Sequence, residues 1–254
     1  MGKETDGALD ITIYPLLKAW GFTEDHQQVP SEGDIKKALE NIDYRKITVN
    51  RTEDGKAVLS VPSPVEIELG AVGKGYAGDL AAEILKENGI DSALIDLGGN
   101  IQVVGGKPDD TKSGGADWTV GFKSPFDGEV FGWVKVKNKA IVTSGGYERY
   151  FEEDGKIYWH IMDPKTGYPA DSGLLSVSVV AESGALCDAL STAIFVMGEE
   201  KAIQLWKERQ DFEFVIVKDD GTVAYTEGLS DCIEFLLVPG SIKTNNPKRI
   251  HLND

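Results

Sequence analysis

Asp188 and Thr192 stand four residues apart in Asp188-Ala-Leu-Ser-Thr192, a spacing that puts a carboxylate and a hydroxyl on one face of a helix. Oxygen donors of this kind suit a hard cation such as Mg2+. The same pair also suits a plain helix, with the Asp satisfying backbone groups and the Thr bonding back one turn, and taken alone that role leads. Thr143-Ser-Gly-Gly-Tyr147 sets small hydroxyls beside glycine at a strand end, fit either to hold phosphate or to turn the chain. His160 opens His160-Ile-Met-Asp-Pro-Lys-Thr-Gly167 and is the one histidine in a motif, since His26 and His251 lie in polar stretches. At a strand end it can act as a general base or cap a turn. Leu69-Gly-Ala-Val-Gly-Lys-Gly-Tyr-Ala-Gly-Asp79 brings three glycines to the expected start of a helix, where Lys74 adds a full positive charge. It is not a Walker loop, because Gly75 follows Lys74 where Ser or Thr is required and Glu68 replaces the first glycine. A structural turn accounts for it equally well.

The elements that must carry these residues read as one continuous α/β pattern. Ser31 can cap a helix running to about Ile42, with acidic residues in its first turn. Residues 9–20 alternate between apolar and small. Val58 to Val65 is strand-like, and Gly70 to Gly75 is expected to be a glycine-rich loop before a helix from Gly75 to Asn88, stopped by Gly89. Ser92 to Leu97 reads as a buried strand ending at Gly98-Gly99-Asn100, with Ile101 to Val104 as the next strand. Trp118 to Ser124 and Gly132 to Val136 alternate like strands. Tyr147–Phe151 and Lys156–Ile161 flank Asp154-Gly155, a strong hairpin signal. Leu175–Ala181 is a strand, Gly184–Met197 and Glu199–Gln210 are helices, and Phe212–Lys218 with Val223–Thr226 form a second hairpin. Hairpins outnumber βαβ units, so the expected class is α+β, with mixed or antiparallel sheets, packed helices and room for two intertwined subdomains. The main domain is expected over residues 1–238, and 239–254 as a polar, mobile tail.

A formal net charge of -16 over 254 residues argues against nucleic acid and anionic membrane surfaces. It also means that any bound phosphate needs a cation or a few local Lys and Arg. Cys187 and Cys232 form no CxxC pair, so two buried thiols are expected rather than a metal site. No apolar run reaches membrane-spanning length, and Met1 to Asp10 is too polar for a secretory signal.

Taken together and in order, the motifs resemble the ApbE family of FAD:protein FMN transferases. The matching segments are Thr5-Asp-Gly-Ala-Leu-Asp-Ile-Thr12 with Pro15-Leu16 and Trp20-Gly-Phe22, Leu69 to Ala77, Asp96-Leu-Gly-Gly-Asn100, Thr143 to Tyr147, His160 to Gly167 and Asp188 to Thr192; the likeness runs to about Phe214. The resemblance implies an enzyme that binds FAD and Mg2+, transfers FMN to a Thr or Ser hydroxyl of a partner protein, and releases AMP. It implies metal ligands at the Ala71 carbonyl, Asp188 and Thr192, with His160 and Asp188 as catalytic residues. Its FAD-contacting set falls on Lys74, Gly98, Gly99, Thr143, Ser144, Gly145, Tyr147, His160 and Asp163. The acceptors implied are subunits of membrane electron-transfer complexes, and the location is extracytoplasmic on a lipoprotein anchor, which no signal here supplies. Family members usually carry a further segment before the position of Thr5 that touches the flavin. FAD hydrolysis to FMN and AMP, and a non-catalytic flavin-binding or inactive remnant, are the alternatives.

Overall fold

The computed structural model describes every residue except Asp25, Asp110, Lys112, residues 238–240 and Asp254. In chain order the elements are α1 (Tyr14–Ala19), α2 (Glu32–Leu39), β1 (Thr48–Arg51), β2 (Ala57–Ser60), α3 (Gly70–Glu87), β3 (Ala93–Asp96), β4 (Ile101–Val104), β5 (Trp118–Lys123), β6 (Val130–Val136) and β7 (Ala140–Gly145). They continue with β8 (Tyr150–Glu153), β9 (Lys156–Trp159), β10 (Leu174–Ala181), α4 (Gly184–Met197), α5 (Glu199–Arg209), β11 (Phe212–Lys218), β12 (Thr222–Thr226), β13 (Ile233–Phe235) and β14 (Lys243–Ile250). The α+β class is as expected. The chain divides into two compact units that alternate along the sequence: Met1–Leu69 with Glu148–Asp171, and Gly70–Tyr147 with Ser172–Asp254. No helix among the described residues is long and apolar enough to cross a membrane.

The first unit holds α1, α2 and two hairpins, β1/β2 and β8/β9. Ser31 caps α2 by accepting the Asp34 N–H, as its position predicts. Leu16, Trp20, Phe22, Ile35, Ala38 and Met162 form its core. Asp154 and Gly155 take positive φ angles in the β8/β9 turn, the conformation that a two-residue hairpin demands.

The second unit is built on a seven-stranded sheet in the order β14-β12-β11-β10-β7-β4-β3. Every pair is antiparallel except β12/β14. Ile141, Val180, Val215 and Val217 of this sheet pack with Val120, Phe122, Phe131, Val134 and Val136 of a smaller sheet ordered β13-β6-β5. Helix α4 is apolar nearly all round and correspondingly buried.

Several expectations are corrected. Residues 70–75 are not a loop but the opening turns of α3. Glycine is a poor helix former, but packing overrides propensity where only a glycine fits. The sequence 92–97 gives β3, an edge strand that is half-exposed rather than buried, joined to β4 by a tight turn at Gly98 and Gly99, both at positive φ. Residues 9–20, read as an alternating stretch, contain helix α1. The expected tail boundary at Pro239 lies outside the described residues, and beyond it β14 joins the main sheet, with Ile242 and Ile250 buried. Both cysteines are free thiols; Cys187 is buried but Cys232 only half-buried.

Candidate functional site

Strand β7 lies in the second unit's main sheet, beside β10 in the register Thr143↔Ser178 and Ser144↔Val177. Successive strand residues point to opposite faces. Thr143 therefore shares a face with Ile141, the face covered by the smaller sheet, and its hydroxyl meets that of Ser178 at 2.7 Å. Ser144 points the other way, to α4, where its hydroxyl lies 2.8 Å from Ser191 Oγ and 3.3 Å from Thr192 Oγ1. Gly145 is held by crowding, since a Cβ there would come 2.3 Å from the Tyr147 ring.

Asp188 sits one turn before Thr192 on α4 and is 4% exposed. Its Oδ2 accepts the backbone N–H of Gly75 on α3 at 2.9 Å. Its Oδ1 has no hydrogen-bond partner among the described residues, and no Lys or Arg pairs with it. That oxygen is not among the fully enclosed polar atoms without a partner, so water or a cation can reach it. The contact also bears on Ala71. In a regular helix the N–H of residue 75 serves the carbonyl of residue 71, so Asp188 competes for the donor that Ala71 would otherwise hold. Asp188, Thr192 and Ser144 thus offer hard oxygen donors from one carboxylate and two hydroxyls, a set that fits Mg2+ rather than a softer metal. Among the described residues no group of three His, Cys, Asp or Glu gathers to hold a metal, here or elsewhere.

The helices that carry these groups meet through glycine. A Cβ on Gly75 would lie 2.1 Å from the Gly184 carbonyl oxygen, and one on Gly184 would lie 2.5 Å from that of Gly75. The start of α4 is fully satisfied. Ser183 accepts the Leu186 N–H, and Asp79 of α3 accepts the N–H groups of Gly184 and Ala185 and the Ser183 hydroxyl. Lys74 stands exposed on α3. Gly98 and Gly99 form the β3/β4 turn, where Asp96 Oδ1 accepts the Gly99 N–H at 2.9 Å.

In the first unit, His160 follows β9. Its Nδ1 lies 3.1 Å from the Arg149 carbonyl oxygen, and its ring meets Phe22 edge-on. A carbonyl only accepts, so this contact puts a proton on Nδ1; in the neutral ring the lone pair that a base uses is then on Nε2. Asp163 organises the turn that follows. It accepts the Lys165 N–H on its side chain and the Gly167 N–H on its carbonyl, while Trp20 Nε1 donates to the Gly167 carbonyl at 2.9 Å.

The structure thus brings together Ser144, Asp188 and Thr192, with Ala71 on the adjoining helix. It sets Thr143 on the opposite face of the sheet. The residues sequence reasoning left without a role are Asp79 and Ser191. For Asp79 the signal was weak but present: three N–H groups open α4 and the Ser183 side chain can serve only one, so a second acceptor had to come from elsewhere.

Comparison with known proteins identifies the family and the fold. The model of the ApbE family matches residues 1–216. The chain is 35% identical over 248 residues to the FAD:protein FMN transferase of Treponema pallidum, covering 92% of this chain and 67% of that one. It is 35% identical over 214 residues to that of Klebsiella pneumoniae, covering 84% and 64%. The chain thus spans about two thirds of the length of these relatives. Its fold superposes on the crystal structure of the ApbE protein from Thermotoga maritima with a TM-score of 0.80 at 36% identity, covering 91% of this chain and 74% of that one. The chain belongs to the ApbE family.

Proposed function

We propose that this chain transfers FMN from FAD to a Thr or Ser hydroxyl of a partner protein, with Mg2+ and with release of AMP. The observation that carries the reading is Asp188: a largely buried carboxylate with one oxygen unengaged among the described residues, one helical turn before Thr192, whose hydroxyl lies 3.3 Å from that of Ser144. The names of the relatives supply the substrate class. In the reaction the acceptor hydroxyl attacks the FMN phosphorus, the bond to the AMP oxygen breaks, and the hydroxyl proton needs a base. His160 suits that role through its Nδ1-protonated tautomer. Bound Mg2+ would neutralise charge on the pyrophosphate, which a protein of net charge -16 otherwise supplies poorly. Asp188, Thr192 and the Ala71 carbonyl would hold it, and Ser144 would hold Thr192 in place. Lys74, Gly98, Gly99, Thr143, Gly145, Tyr147 and Asp163 complete the proposed flavin-binding set. The acceptor is proposed to be a subunit of a membrane electron-transfer complex, met outside the cytoplasmic membrane.

The test is incubation with FAD, MgCl2 and a Thr-containing acceptor peptide, read as flavin fluorescence on the peptide in a denaturing gel. Labelling that disappears in Asp188→Ala and without Mg2+ is expected. An unlabelled peptide, under conditions where a full-length relative labels it, would overturn the reading. AMP release without labelling would turn it to FAD hydrolysis.

A further inference from the structure

Helices α3 and α4 present the same short pattern to each other. Each offers a glycine and, four residues later, an aspartate: Gly75 and Asp79 on one, Gly184 and Asp188 on the other. Asp79 accepts the Gly184 N–H at 2.5 Å, and Asp188 accepts the Gly75 N–H at 2.9 Å. The glycines lie between the carboxylates in mutual backbone contact, with no room for a side chain on either. The two helices are therefore clasped by a reciprocal pair of carboxylate–amide bonds around a glycine contact.

The halves of the clasp differ in what remains open. Both oxygens of Asp79 are taken, Oδ1 by Gly184 and Oδ2 by the Ser183 hydroxyl at 2.8 Å and the Ala185 N–H at 3.0 Å. Asp188 keeps Oδ1 unengaged among the described residues, with Thr192 one turn away. From this difference we infer that Asp79 is a positioning residue, which fixes the register of α4 on α3 and thereby the separation of Asp188 and Thr192 from the Ala71 carbonyl. The inference rests on the cation site proposed above. Asp79 touches none of the reacting groups and acts through the helix it holds. Groups hydrogen-bonded to a metal ligand typically change metal affinity by about 10–100-fold when lost, and a residue that sets the register of the ligand-bearing helix is expected to act in that range.

The test uses Mn2+ alone, titrated into the full chain and followed by the electron paramagnetic resonance signal of the free ion. Circular dichroism runs alongside to verify folding. Asp79→Asn keeps the shape but presents an amide to an N–H, and Asp79→Glu keeps the charge but displaces the acceptors by a methylene. Both are expected to bind Mn2+ about 10–100-fold more weakly than the unaltered chain. Wild-type affinity in Asp79→Asn would overturn the inference. Wild-type affinity in Asp79→Glu alone would also overturn it, because charge rather than position would then be what counts. If neither variant folds, Ser183→Ala removes one link of the same cap and is expected to weaken Mn2+ to a smaller degree; unchanged binding there would overturn it. Asp188→Ala separates the two levels. Its binding Mn2+ undiminished, or no binding by the unaltered chain, would sink the cation site itself.

Discussion

At the scale of single residues, the clearest constraint is steric. A methyl group on Gly75 would sit 2.1 Å from a backbone oxygen that belongs to another helix and cannot swing aside. Gly75→Ala is expected to cost about 3 kcal/mol, read as a lowered urea midpoint, because relief requires α3 and α4 to part. Gly73, four residues along from Leu69 and with open space around its Cα, is the control; Gly73→Ala is expected to stabilise by about 1 kcal/mol through helix propensity. Ser144→Ala removes hydroxyl contacts to Ser191 and Thr192 and is expected to cost about 1 kcal/mol by the same measurement. Types and spacing left Asp188, Thr192 and Ser144 open between a site and plain structure, and the resemblance to the ApbE family is what singled them out. The sequence was silent on Asp79, whose role exists only once two helices that are distant in the chain have packed. It grouped Thr143 and Ser144 in one motif without showing that strand alternation sends their side chains to opposite faces.

At the scale of elements, what could be read was what local chemistry dictates. Ser31 at the start of α2, Asp154-Gly155 between β8 and β9, and Gly198 at the end of α4 each act through their own backbone conformation, and each boundary fell where those residues put it. Strand β14 escaped because Lys243 to Ile250 lacks a regular apolar alternation and contains Pro247. It is an edge strand whose register against β12 is irregular, where proline is tolerated. Its attachment can be tested in two ways. Ending the chain at residue 240 would remove the burial of Ile242 and Ile250, worth about 1.5–3 kcal/mol each, and is expected to lower Tm by several degrees. The second test is pH. Glu199 bonds Lys218 and, at 2.9 Å, Lys248 of β14. Burial alone would push the Glu199 carboxyl up, but the two ammonium groups hold it below its ordinary value. A depressed carboxylate adds stability above its unfolded pKa of about 4.3 and loses it as pH falls through the folded value. Glu199→Gln is therefore expected to lower the urea midpoint at pH 7 and to flatten its decline toward pH 3. An equally steep decline in the variant would assign the acid sensitivity elsewhere.

At the scale of the whole molecule, charge and connectivity dominate. With 42 acidic and 26 basic residues, the folded chain repels itself at neutral pH. Raising KCl from about 20 to about 500 mM shortens the screening length several-fold and is expected to raise Tm; an unchanged Tm would mean that the local ion pairs already offset the repulsion. Connectivity acts on a different clock. The chain passes from one unit to the other at residues 69/70, 147/148 and 171/172. During synthesis, the first 69 residues must wait for 148–171 to leave the ribosome before Trp20 can meet the Gly167 carbonyl. At roughly 5–20 residues per second, that delay is on the order of ten seconds, during which an incomplete aromatic cluster stays open to chaperones and proteases.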